Sequence, residues 1–175
     1  MKNAMLFCIA LLFSVGANAA TLTLSTVGSS GATQEISLNN NSTVLAGGTV
    51  ANSGSWESLF DVKTDVDTPV KVEWSFNPTG SLDNAQLAFG EVSGPGGFYL
   101  GGGPTIFNIT SDFMFTAILT AGSFFGVDIL NATSDVLKYD LSISAVPVPA
   151  ALWLFAPALM GFFGLRRKAQ KTAAA

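Results

Sequence analysis

The chain has 175 residues, of which 49% are hydrophobic and 11% charged, with one cysteine and no histidine. That length allows one domain, and the missing residue types exclude Ser-His-Asp and Cys-His catalysis and His/Cys zinc sites from any body that lacks Cys8. All 12 acidic residues but only Lys63, Lys71 and Lys138 lie between residues 20 and 145, a net charge of −9 there; such a surface repels nucleic acid and tolerates cations such as Ca²⁺.

Residues 1–19 read as a cleaved secretory signal peptide. Lys2 supplies the basic start, Ala4 to Val15 the apolar run, and Ala17-Asn18-Ala19 a small-residue site for signal peptidase, with the cut after Ala19. An uncleaved anchor is the alternative, but the apolar run is too short for a stable span. Cys8 falls inside this segment, and Met5-Leu6-Phe7 before it lacks the small residues of a lipoprotein site. The exported body, residues 20–145, therefore has no disulfide and must be held by its apolar core.

Along that body the apolar period is two, not 3.6. Thr21 to Ser25 alternates Leu22 and Leu24, and a Ser/Gly turn is expected at Gly28 to Gly31. Gln34 to Leu38 is a second strand, Thr43 to Ala51 a weaker one broken by Gly47-Gly48, and Trp56 to Val62 a fourth. Val70 to Phe76 is the clearest, with Val70, Val72, Trp74 and Phe76 on one face and Lys71, Glu73 and Ser75 on the other. Leu82 to Val92 follows, then Thr105 to Ile109, Phe113 to Thr120 and Ser123 to Leu130. Val136 to Ala145 places Leu137, Tyr139, Leu141, Ile143 and Ala145 inward. Short strands separated by turn signals predict an all-β antiparallel sandwich.

What chemistry remains is that of carboxylates. Glycosidases need two acids on facing elements, and nothing in the spacing pairs Glu35, Glu57, Glu73 or Glu91 with another acid. Asp61, Asp65 and Asp67 form the densest acidic cluster and are the candidate Ca²⁺ ligands, against a plain solvated loop, although the EF-hand glycine and terminal Glu are missing. The glycines from Gly94 to Gly103 match no phosphate-binding pattern and read as loops. Trp56, Phe98 and Tyr99 are the aromatics considered for stacking on sugars, with Trp56 expected in the core.

From Ala145 to Leu165 no residue is charged, long enough for a helix crossing a bilayer of roughly 30 Å. Val146-Pro147-Val148-Pro149-Ala150 forms a stiff neck before it, because proline cannot continue the strand that ends at Ala145. Trp153 stands near the outer interface, and Arg166, Arg167 and Lys168 form the cytoplasmic flank of a span at about 147–165 with a basic tail at 166–171. Neck, span and basic cluster, 146–171, together resemble the PEP-CTERM sorting signal in its VPxPA form, with Val148 where the name-giving Glu would be. The resemblance implies processing by an exosortase and release to the cell surface or the extracellular space, often beside exopolysaccharide. A permanent single-span anchor is the plainer alternative. Ser55-Trp56-Glu57-Ser58-Leu59-Phe60 and Leu119 to Val127 also resemble the FxDxF-type subgroup, with Trp56 and Ser58 departing from its motif.

Together these features predict a non-catalytic surface or extracellular-matrix protein needing no cofactor, adhesive or structural in an exopolysaccharide setting. The alternative is a carbohydrate-binding module, Ca²⁺-assisted or not, and the remote one a carboxylate-dependent glycoside hydrolase.

Overall fold

The computed structural model describes residues 20–80 and 82–146. The predicted signal peptide with Ala17 and Ala19, and the predicted sorting segment from Pro147 through Lys168, lie outside the described residues.

Alternating apolar residues build strands throughout. They are β1 (Leu22–Ser30), β2 (Glu35–Leu38), β3 (Thr43–Val50), β4 (Gly54–Thr64), β5 (Thr68–Asn77) and β6 (Leu82–Asp83), followed by β7 (Ala85–Val92), β8 (Thr105–Ile109), β9 (Phe113–Leu119), β10 (Phe124–Ser134) and β11 (Leu137–Ala145). Every pairing is antiparallel. One sheet has the order β1-β4-β10-β7-β8, with β6 also on β10, and the other has β2-β3-β11-β5-β9. Among the described residues no helix is long and apolar enough to cross a membrane.

The sandwich core lies between the two sheets, as the period-two pattern requires. Val70, Val72, Trp74 and Phe76 are buried, and so are Leu137, Tyr139, Leu141 and Ile143. Facing them from the first sheet are Trp56, Phe60, Val62, Val127 and Ile129. Trp56 stacks on Tyr139 with centroids 5.2 Å apart, and Phe60 tilts against Trp74 at 5.9 Å, so rings of one sheet close directly on rings of the other. At the far side the half-buried Phe89, Phe107, Phe113 and Phe115 form a second group of aromatics with the buried Phe125.

Four expectations are corrected. β1 continues through the predicted Gly28 turn to Ser30, because a register shift between Thr26 and Gly28 absorbs Val27. β3 is not broken at Gly47-Gly48: a side chain at Gly48 would fall on the Thr33 carbonyl and the Tyr139 hydroxyl, so these glycines admit a close neighbour. Asn84 and Asn131, with φ of 54°, divide the predicted Leu82 to Val92 strand and carry β10 past Leu130.

Candidate functional site

The outer face of the second sheet carries an open groove of about 610 Å³. It exists because β2, β3, β11, β5 and β9 lie side by side and their outward positions alternate with the core. Three carboxylates line it: Glu73 from β5, Asp140 from β11 and Asp112 from the β8–β9 turn. Ser37, Ser75 and Ser142 add hydroxyls, and Leu45 and Met114 add apolar surface. Glu73 is paired with Lys71 at 2.6 Å, and Asp112 accepts the Phe76 N–H at 2.8 Å. Asp140 makes no hydrogen bond or ion pair among the described residues. It sits opposite Gly47, where a Cβ would come within 2.8 Å of Asp140 Oδ1, so the glycine clears the space its carboxylate occupies. The groove thus offers one uncommitted acceptor group flanked by hydroxyls and apolar ground.

The opposite outer face is closed by the β7–β8 loop. Gly90 and Gly126 are paired across β7 and β10, and the ring of Tyr99 lies over both. The Tyr99 hydroxyl donates to Asp128 Oδ2 at 2.5 Å, while Asp128 Oδ1 accepts the Phe60 N–H at 3.1 Å. Burial pushes Asp128 up to about 6 despite those two bonds, with the charges of Asp61 and Glu57 adding to the rise. Burial also raises Asp61, whose Oδ2 accepts the Gly96 N–H at 2.6 Å, and raises the Tyr99 hydroxyl, with the Asp128 charge adding to the latter. This cluster is committed to clamping the loop to the sheet, and it leaves Phe98 at the loop surface, 77% exposed.

The candidate calcium ligands are not brought together. Asp61 holds the Gly96 N–H, Asp65 Oδ1 the Thr21 N–H at 2.8 Å, and Asp67 Oδ1 the Ala121 N–H at 2.8 Å. Each carboxylate thus serves a different backbone segment, and among the described residues no group of three or more acids is placed to hold a metal ion. Trp56 is in the core, as expected, with its Nε1 donating to Ser134 Oγ at 2.9 Å. Tyr99 is spent on the clamp, leaving Phe98 as the one free aromatic of the three considered. Val146, the first residue of the neck, donates its N–H to the Pro69 carbonyl at 2.8 Å just after β11 ends.

No family model matches the sequence, and no curated protein matches it. Among solved structures the chain is similar to a Podospora anserina GH26-CBM35 β-(1,4)-mannanase, at 10% identity and a TM-score of 0.42 over 74% of this chain and 29% of that one. It is also similar to the carbohydrate-binding module CBM6cm-2 of Cellvibrio mixtus lichenase 5A, solved with cellotriose, at 14% identity and a TM-score of 0.38 over 73% of this chain and 99% of that one. A family 35 carbohydrate-binding module from Clostridium thermocellum gives 10% identity and a TM-score of 0.39 over 72% of this chain and 99% of that one. Likenesses this distant carry no inference about what this chain binds.

Proposed function

We propose that the sandwich is a non-catalytic module that binds a neutral polysaccharide in the groove across its second sheet. The observation that carries this reading is Asp140, a carboxylate without a partner among the described residues, in an open trough of hydroxyls and apolar side chains. A pyranose presents pairs of hydroxyl donors and apolar C–H faces, and one carboxylate accepts two such donors. The groove volume of about 610 Å³ falls in the range of roughly 300–1,000 Å³ usual for ligand sites. Three carboxylates in the groove and the body charge of −9 disfavour uronic or sulfated chains, so the ligand class is neutral.

In the same reading the protein is exported behind its signal peptide, held briefly by the 147–165 span, and released by an exosortase to the cell surface or extracellular matrix. There the groove attaches it to exopolysaccharide, which makes binding the means of the adhesive role. Retention on immobilised neutral and acidic polysaccharides, with and without chelator, tests the ligand. Retention on a neutral glycan that survives chelation is expected, and failure to retain any glycan rejects the reading. Mass spectrometry of cell fractions tests the address: an intact tail on the mature surface form contradicts processing.

A further inference from the structure

The two flanks of the sandwich are finished differently. On one, the Asn39 side chain donates to the Leu24 carbonyl at 2.7 Å and accepts the Leu24 N–H at 2.6 Å, while the Asn41 carbonyl accepts the Leu22 N–H at 2.9 Å. The first part of the outer edge of β1, at Leu22 and Leu24, is thereby closed by the protein's own chain. Its neighbour on that flank, β2, has only four residues, begins with Glu35 and carries a register shift between Ile36 and Leu38. Shortness, charge and bulges are the usual protections of a free edge.

On the opposite flank β8 and β9 end their sheets, with no strand or side chain bonded along their outer edges among the described residues. β9 has seven residues, Phe-Met-Phe-Thr-Ala-Ile-Leu, without charge, proline or bulge. Its outward Met114 and Ile118 are 56% and 71% exposed. We propose that β9 is the site of antiparallel strand addition between two copies of this chain.

The second copy is favoured as occupant because the strand is self-complementary. A two-fold axis at Thr116 sets Thr116 opposite itself, Met114 opposite Ile118, Phe115 opposite Ala117 and Phe113 opposite Leu119. Each exposed apolar side chain thus meets an apolar one, around a central Thr–Thr pair of the kind that stabilises sheets. The body charge of −9 opposes association in general, but beside β9 the outward Lys71 and Glu73 neutralise each other. The same register brings Asp112 of one copy towards the turn whose Ala121 N–H holds Asp67 in the other, so association strengthens with salt. An isologous pair uses up both β9 edges and closes at two copies. A seven-residue ladder falls at the small end of interfaces, below roughly 1,200 Å², so the dimer is reversible. Met114 belongs both to the groove and to this strand, but the pairing itself uses the outer backbone edge of β9 and so does not require the groove to bind a glycan.

Cross-linking reads it directly. Residues opposite each other in an antiparallel pair have Cα atoms about 4.5–5.5 Å apart, within the disulfide range of about 4.4–6.8 Å. In the full chain in detergent, with Cys8→Ser as background, Thr116→Cys under mild oxidation is expected to give at least about tenfold more dimer than Lys138→Cys. Met114→Cys alone is expected to form almost no disulfide-linked dimer but to cross-link when mixed with Ile118→Cys, and added salt to increase the yield. Circular dichroism confirms that each variant is folded. Equal yields from Thr116→Cys and Lys138→Cys, or Met114→Cys cross-linking to itself as readily as to Ile118→Cys, overturn the proposal.

Discussion

Replacing Asp128 with asparagine should remove a pH dependence that the buried clamp builds into stability. In the folded chain Asp128 is 5% exposed and titrates at about 6, burial being the main cause. In the unfolded chain it titrates near 3.9. Between those values the folded form binds more protons than the unfolded one. The contribution is therefore fully present below about pH 4 and is lost as pH rises through 6. Two pKa units at about 1.4 kcal/mol each come to about 3 kcal/mol of stability forfeited by the wild type between pH 4 and 7. Asp128→Asn keeps an acceptor for the Phe60 N–H but cannot ionise. Whatever that substitution costs in the Tyr99 bond is the same at every pH. Urea denaturation of wild type and variant from pH 4 to 7.5 reads the difference: the variant should gain on the wild type by about 3 kcal/mol across the window. Asp61, also raised by burial, leaves a residual slope of the same sign in both proteins. Parallel stability curves would refute the assignment.

Three further substitutions test the packing. Tyr139→Phe removes a hydroxyl that donates to the Thr33 carbonyl at 2.6 Å and lies 2.8 Å from the buried Ser58 Oγ; losing both bonds should cost about 1–3 kcal/mol, read as a lower denaturation midpoint with an unchanged slope. Gly48→Ala places a methyl on the Thr33 carbonyl and the Tyr139 ring, and should cost about 1–3 kcal/mol, whereas Gly28→Ala meets nothing within 4 Å and should stay within about 0.5 kcal/mol in the same assay.

The strands were legible where one face is apolar and the next polar. Val70 to Phe76 and Leu137 to Ile143 show strict alternation, and both bury the predicted side chains. Glycine was the misleading signal, since Gly47-Gly48 is as compatible with a turn as with a close approach, and only the distant Tyr139 decides between them. The groove was illegible for a similar reason: Ser37, Glu73, Asp112 and Asp140 come from well-separated stretches, and it is the β2-β3-β11-β5-β9 order that assembles them. The acidic cluster at Asp61, Asp65 and Asp67 is close in sequence but divergent in space, because strand alternation and the hairpin turn send the three to different backbone donors. Asp128 did leave a mark, as a lone acid in the apolar run from Phe124 to Leu130. A charge in such a position requires partners, and Tyr99 and the Phe60 N–H supply them.

The measurement that bears most directly on the groove is calorimetric titration of the retained neutral glycan into the full chain, into Asp140→Ala and into Phe98→Ala. Asp140 is exposed and has no partner among the described residues, so its loss should leave stability unchanged while weakening affinity about tenfold or more, the equivalent of about 1.4 kcal/mol. Phe98→Ala, on the opposite face, should bind as the wild type does. Unchanged affinity in Asp140→Ala together with lost binding in Phe98→Ala would move the site to the β7–β8 loop and contradict the account.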